Sequence, residues 1–521
     1  EICMPSPPHE AYRVAVRAWS ALHADEPDVV PLLERHAEAL LALYELDLEP
    51  ARDILAACYA ANPRGGRPRD PVVLLRVLLL ALLVGQPSLN KWVRDLRSCR
   101  VLRVLAGLDE TDRGPGVGTL YDLLHRLHDG SLRTCPCGHQ VAPSEQQRRR
   151  AQAPQPRRAA AERSRGEEPV TTRLVTELRA ARELPNPTDL LGRLAGILLR
   201  VAVTESARRE LLGRSDAVVA CGDGSALVTG AARAGRRTCD HPRGEPCRCP
   251  RVWTDPDARV GWDTYRESFF FGHHFYEWSV ATGGHDLPLG IRLDPGNASD
   301  FTASPRSFEH LQKALREHAV PITVRTAVMD AGHDGVEVHR FFHEHGVDPA
   351  IPLKAPAPAI HPDRPNLWLS PRGVPLCEAG IEMATWGTGG RDRRIFVCPV
   401  KAKKLGRCPL SPDDNPAWLC RPDGDLAPTV SVSVSANPRL CPSIPRSTNR
   451  FADLMRLRSG CERSNAVKKA QFQLESARHR RASFWLIRLH LIAVLQHARA
   501  WVAGRSAAAL VQELIGHRIA A

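Results

Sequence analysis

The chain has 521 residues, too many for one ordinary domain and enough to build a core that needs no staples. Its 71 Lys and Arg against 58 Asp and Glu leave a formal charge of +13, which points to a polyanionic partner, nucleic acid first, because such a charge is tolerated where phosphates or an anionic membrane neutralise it. Fifteen cysteines in a large basic chain with no visible secretion signal read as free thiols or metal ligands rather than a disulfide framework, so a cytoplasmic location is expected.

Residues 8 to 133 carry apolar side chains at three- and four-residue spacing in "YRVAVRAWSALHA", "VPLLERHAEALLALY", "PVVLLRVLLLALLVG", "LNKWVRDLRSCRVLRVLAG" and "GTLYDLLHRLHDG", which predicts an all-α unit. The most apolar run contains Arg76 and is shorter than the ~20 residues that cross a bilayer. A buried helix and no membrane partner are expected. "GQPS" then supplies a turn with Ser88 as N-cap, and the next helix carries Lys91, Arg94, Arg97 and Arg100. A DNA-contacting helix-turn-helix and a bundle with a solvated basic face both fit that pattern. "CPCGH" brings Cys135, Cys137 and His139 together without a clear fourth metal ligand. From 142 to 169 the periodicity vanishes into Arg, Gln, Pro and Glu, the composition of a disordered linker whose arginines can meet phosphates.

After a helical stretch (171 to 213) the period becomes that of strands. "DAVVACGDGSALV" is a short apolar run with Asp223 near its end, and "ESFFFGHHFYEWSVATGGHDLPLGIRLDPG" reads as two strands joined at "TGGHD". "RSFEHLQKALREHA" is an amphipathic helix, "ITVRTAVMDAGHDG" a strand ending at Asp330, and "GVEVHRFFHEHG" with "DPAIPLK" a further helix and strand. That order predicts a mixed sheet with helices on its faces. From about 355 to 445 the chain is rich in Pro, Gly and Cys with short strand-like pieces, and beyond it strong helical periodicity returns.

Asp223 and Asp330 each close an apolar strand, where an Asp is commonly a turn former or helix cap. With Glu462 they also meet a chemical requirement, since phosphodiester cleavage by two divalent ions needs about three carboxylates around a space ~4 Å across. Glu462 lies in "RSGCERSNAVKK" among bases. At ~100° per residue Met455, Arg458, Glu462, Asn465 and Lys469 project from one narrow helical face. An acid there can hold a metal while Arg458, Arg463, Lys468, Lys469 and Asn465 hold phosphates beside it, although Arg and Glu four apart also form ordinary surface pairs. Cys461 points off that face and reads as packing. "CDHPRGEPCRC" supplies Cys239, His241, Cys247 and Cys249, which fit either a structural Zn²⁺ site or free thiols in a loop.

Arg458, three residues, Glu462, six residues, Lys469 resembles the Tyr-(2)-Arg-(3)-Glu-(6)-Lys motif of bacterial insertion-sequence transposases of the DDE class, with Met455 in the Tyr position. "RDPVVLLRVLLLALLVG" and "GVGTLYDLLHRLHDG" are similar to their N-terminal helical domain, "DPDARVGWD" with "FFFGHHF" to the segment after their first Asp, and "VMDAGHDG" to their second. The resemblance implies an RNase H-like catalytic domain, Asp223, Asp330 and Glu462 as a catalytic triad holding two Mg²⁺ or Mn²⁺ ions, and a β-rich insertion within the 132 residues that separate Asp330 from Glu462 (462 − 330). It gives an organisation of a helical DNA-binding domain (1–140), a basic linker (141–170), a first part of the core with the Cys/His loop 236–252 (171–355), an insertion (356–446) and C-terminal helices completing the core (447–521). The implied partners are double-stranded DNA, as terminal inverted repeats and target, and a second copy of the chain, in a bacterial cytoplasm at the nucleoid. A catalytically inactive DNA-binding remnant and a nuclease without strand transfer are the competing readings.

Overall fold

In a computed structural model of the chain the described residues are 9–59, 68–129, 170–180, 189–237, 239–240, 251–282, 284–362, 364–390, 392–411 and 429–516. The segment 141–169 expected as a linker lies outside them, as do Cys135, Cys137 and His139.

The first region is helical: α1 (His9–Leu22), α2 (Val29–Arg35), α3 (Ala37–Glu45), α4 (Arg52–Ala56), α5 (Pro71–Leu83), α6 (Leu89–Ser98), α7 (Arg100–Leu105) and α8 (Val117–Asp129). Helix α5 starts where the sequence places Asp-Pro. Asp70 accepts from the Val72 amide at 2.7 Å, and Pro71 fills the first position, where no amide is needed. Nearly all of α5 is buried, including Arg76, whose guanidinium stacks over the Tyr12 ring at 4.1 Å. Among the described residues no helix is long and apolar enough to cross a membrane. On α6, Lys91, Arg94 and Arg97 are exposed while Trp92, Val93 and Leu96 are buried, and Arg100 is held by Glu26 and Asp28.

After α9 (Val170–Ala180), α10 (Leu190–Leu198) and α11 (Thr204–Arg208), the chain enters the sheet with β1 (Val218–Val228). The short pair β2 (Arg236–Arg237) and β3 (Arg251–Val252) follows, then β4 (Arg259–Asp263), the long β5 (Ser268–Thr282), β6 (His285–Pro295), α12 (Asp300–Glu317), β7 (Val324–Val328), α13 (Val336–Glu344) and β8 (Asp348–Ala350). β5 and β6 form the expected hairpin, with Gly284 at φ +81°, a value that needs glycine. β1 pairs antiparallel with β5 and parallel with β7, which pairs parallel with β8. The spatial order is therefore β6-β5-β1-β7-β8, with β4 beside the first part of β5. This mixed α+β arrangement is consistent with the RNase H-like fold expected and puts β1, with Asp223, at the centre.

Between β8 and the last helices lie β9 (Ile360–His361), β10 (Arg364–Trp368), β11 (Ala384–Gly389), β12 (Arg393–Val397) and β13 (Thr429–Ser433), the last three forming an antiparallel sheet. Leu367, Val374, Phe396, Val432 and Leu440 give this segment a small core of its own. Arg439 ties it back, reaching Asp334 at 2.7 and 2.9 Å.

The chain then returns with α14 (Asn449–Leu457), α15 (Ser459–Ala470), α16 (Ala482–Trp501) and α17 (Ala507–Gly516). The sequence predicts one helix through Met455 and Lys469; the structure breaks it at Arg458, so Met455 packs with Phe451 and Leu454 against the sheet's buried edge instead of continuing the polar face. α16 is buried on all sides and packs on β6, α3, α5 and α10. The N-terminal helices thus share one continuous core with the sheet.

α15 lies close to β5 because Gly460 has no side chain: a Cβ there would sit 2.3 Å from the Ala281 Cβ and 2.8 Å from Asp286 Oδ1. Gly460→Val should therefore lower stability by about 2 kcal/mol through overpacking, read as a fall in thermal midpoint; an unchanged midpoint would contradict this packing.

Candidate active site

Asp223 stands in β1 between two glycines whose missing side chains are filled by neighbours. A Cβ on Gly222 would meet Tyr276 Oη at 2.5 Å, and one on Gly224 would meet Asp300 Oδ1 at 1.8 Å. Since alternate strand residues face opposite ways, the glycines open the face covered by α12 and Asp223 faces α15. Asp300, the first residue of α12, leans across β1 through the space at Gly224, with His274 Nε2 3.1 Å from its Oδ1.

Asp330 follows β7 and caps a short turn, its Oδ1 accepting from the Gly332 amide at 2.9 Å and lying 2.6 Å from His333 Nδ1. The other ring nitrogen of the fully buried His333 is 3.0 Å from Tyr276 Oη. Tyr276 and His333 therefore orient Asp330 from beneath. Glu462 projects from α15, about half exposed, with Arg458 Nη1 2.7 Å from its carboxylate.

These groups act on one another electrostatically. Burial, reinforced by the negative charges of Asp300, Asp330 and Glu462, pushes the Asp223 carboxyl up to about 7. The hydrogen bond from His333 outweighs burial at Asp330 and holds that carboxyl below its ordinary range. Two carboxyls of one site are thus driven apart, the condition met where protons and cations are exchanged.

The oxygen donors of Asp223, Asp330, Asp300 and Glu462 are of the hard type that divalent ions prefer, and their mutual repulsion at Asp223 is what a bound cation would relieve. The residues present fit such an ion. Among the described residues, no three His, Cys, Asp or Glu side chains already close into a metal cage: Arg458 engages Glu462 and His333 engages Asp330.

The flanking bases sort differently from the sequence expectation. Lys469 Nζ donates to Ser225 Oγ at 2.7 Å, two residues along β1 from Asp223. Arg463 pairs with Asp286 at 2.8 Å and stays exposed. Lys468 leaves the expected phosphate-binding set, because its ammonium is fully buried 2.6 Å from Glu277 and further held by Ser464 Oγ at 2.8 Å. Asn465, expected beside Glu462 on an open face, is only 6% exposed. Cys461 is packing, its thiol donating to the Cys221 carbonyl at 2.8 Å and pushed above its usual range by burial. Of the expected zinc ligands, His241, Cys247 and Cys249 lie outside the described residues, and Cys239 is half-buried.

Sequence reasoning missed Asp300, since an Asp opening a helix reads as a favourable N-terminal charge. It also missed Glu277, which reads as one polar residue in an aromatic strand.

Residues 237–366 match the family model of the transposase DDE domain. The match supports a DDE transposase, and with it DNA as substrate. It spans the hairpin, Asp300 and Asp330, and stops short of Asp223 on one side and Glu462 on the other. No match is found among curated proteins.

In the ion-free protein the raised Asp223 carboxyl favours folding at low pH, and that contribution is lost as pH rises from about 4 toward about 7, because the folded state must give up a proton it holds more tightly than the unfolded chain. Asp223→Asn should be more stable than wild type in EDTA at pH 8 by on the order of 2–4 kcal/mol, with the gap closing toward pH 4. Parallel stability curves from pH 4 to 8 would contradict a raised Asp223.

Proposed function

We propose that the protein is the transposase of a bacterial insertion sequence, cutting DNA at the element's ends and joining them to a target, with Asp223, Asp330 and Glu462 as its catalytic carboxylates. The observation that carries the reading is the convergence of these three residues, from a central strand, the end of its parallel neighbour and a helix 132 residues further on (462 − 330), close enough for the last two to shift the titration of the first. The match to a transposase DDE domain over the intervening segment supports it independently.

In this reading the carboxylates hold two Mg²⁺ or Mn²⁺ ions. When bound, the ions supply activation of water or a terminal 3′-hydroxyl and stabilisation of the leaving oxygen in an in-line displacement. The chain's own residues do the positioning. Tyr276 and His333 keep the Asp330 carboxylate ionised and fixed in direction. Arg458 holds Glu462 until ion and substrate enter, then is free to pair with a phosphate as a planar donor. Lys469, anchored to Ser225, sets a positive charge at the edge of the carboxylate cluster where the scissile strand would run. Lys91, Arg94 and Arg97 on α6 add affinity along the duplex, and two copies of the chain bring two ends together.

The test is cleavage of a labelled duplex carrying the flanks of the gene's own locus, with Mg²⁺ and with EDTA. Wild type should nick at the element boundary only with the divalent ion. Glu462→Gln should reduce the rate by about 10³-fold or more, several kcal/mol of transition-state stabilisation, while DNA affinity in EDTA stays unchanged. Tight binding without cleavage under any divalent ion would favour a DNA-binding remnant, and cleavage without joining a nuclease.

A further inference from the structure

Two contacts fix how α15 lies along β1. Cys461 Sγ meets the Cys221 carbonyl at 2.8 Å, and Lys469 Nζ meets Ser225 Oγ at 2.7 Å. Eight residues advance ~12 Å along a helix and four advance ~13 Å along a strand, so the two elements stay in step between these contacts. Cys221, Asp223 and Ser225 share a sheet face, being two apart; Cys461, Asn465 and Lys469 follow one another at four-residue steps, each turned ~40° from the last, so Asn465 lies between the two side chains that make these contacts. Asn465 therefore stands over Asp223 as its neighbours one turn away stand over Cys221 and Ser225.

Asn465 is 6% exposed, and its Oδ1 is buried with no hydrogen-bond partner. A buried amide oxygen left unpaired is costly, and here it lies on the face of the helix turned to the carboxylates. A DNA phosphate, itself an acceptor at neutral pH, offers such an oxygen no proton. A cation can satisfy it.

We propose that Asn465 Oδ1 is a neutral oxygen ligand to the divalent ion held by Asp223, and not a contact to DNA. The assignment rests on the ion-binding role of Asp223 proposed above. Hard cations accept amide carbonyls alongside carboxylates, and an amide completes the coordination without adding charge to a site that already gathers Asp223, Asp300, Asp330 and Glu462.

Mn²⁺ titration of the full chain without DNA, followed by calorimetry and by the Mn²⁺ paramagnetic resonance signal, tests this. Wild type should bind Mn²⁺ and Asp223→Asn should lose it. Asn465→Leu should weaken Mn²⁺ binding by about 10–100-fold, Asn465→Asp should keep or tighten it, and both should bind DNA in EDTA as wild type does. If wild type takes up no Mn²⁺, the ion-binding reading of the site fails and this assignment falls with it. If wild type binds, Asp223→Asn does not, and Asn465→Leu binds as wild type does, the assignment of Asn465 alone is wrong. Weaker DNA binding with undiminished Mn²⁺ affinity would make Asn465 a phosphate contact and overturn the proposal. Should Asn465→Leu not fold, Asn465→Ser, which withdraws the oxygen from the site at lower cost in packing, must show the same loss of Mn²⁺ affinity.

Discussion

Glu277 and Lys468 form an ion pair in which neither side chain is exposed, 2.6 Å apart, at the junction of β5 and the helix that brings Glu462 to the sheet. Ser464 Oγ donates to the same glutamate at 2.5 Å, and Gln496 from α16 joins Ser464 at 3.1 Å, so one buried network ties strand, site helix and C-terminal helix together. Such a pair contributes little net stability over a well-packed apolar substitute, but removing one partner strands a charge, at about 3–5 kcal/mol. Its value is in position. Glu277 is the cross-strand partner of Asp223, so the pair that sets the height and rotation of α15 is anchored opposite the carboxylate it must serve.

That anchoring explains why the basic face read from the sequence divides as it does. A helix packed on a sheet cannot present all its cations to solvent. Arg458 and Arg463 stay at the surface, Lys469 meets Ser225 on β1, and Lys468, one residue earlier, points into the core where only a carboxylate makes it tolerable. Burial lowers the Lys468 ammonium from its usual range, and Glu277 opposes that shift.

Much of this was legible in the residues. The apolar runs at Asp223 and Asp330, the Gly-Gly turn after Thr282 and the amphipathic helix read over 306–319 point to the sheet and its crossover, although β1 runs on to Val228, leaving Asp223 mid-strand rather than at its end, and the helix starts six residues earlier, at Asp300. What escaped was set by tertiary contact. Asp300 gains its place from the absence of a side chain at Gly224, a fact about a strand some 75 residues away. The break at Arg458 comes where α14 must cover the sheet's edge while α15 turns onto its face, and helical periodicity runs through both without a mark. Helical periodicity of the N-terminal region likewise suggested a separate unit, because an apolar stripe does not name the surface that will cover it.

That shared core has a consequence for how the chain is made. Arg17 of α1 lies 3.6 Å from Glu513 of α17, and Glu45 of α3 pairs with Arg505 at 2.7 Å, so the N-terminal helices are completed by the C-terminal ones. α16 fills the space between α3, α5 and the hairpin. Folding therefore closes a loop of nearly the whole chain, late and non-local, rather than proceeding unit by unit during synthesis. Glu462 arrives within the same closing segment. A chain cut short anywhere before it lacks both the helices that close the core and the third carboxylate of the candidate site.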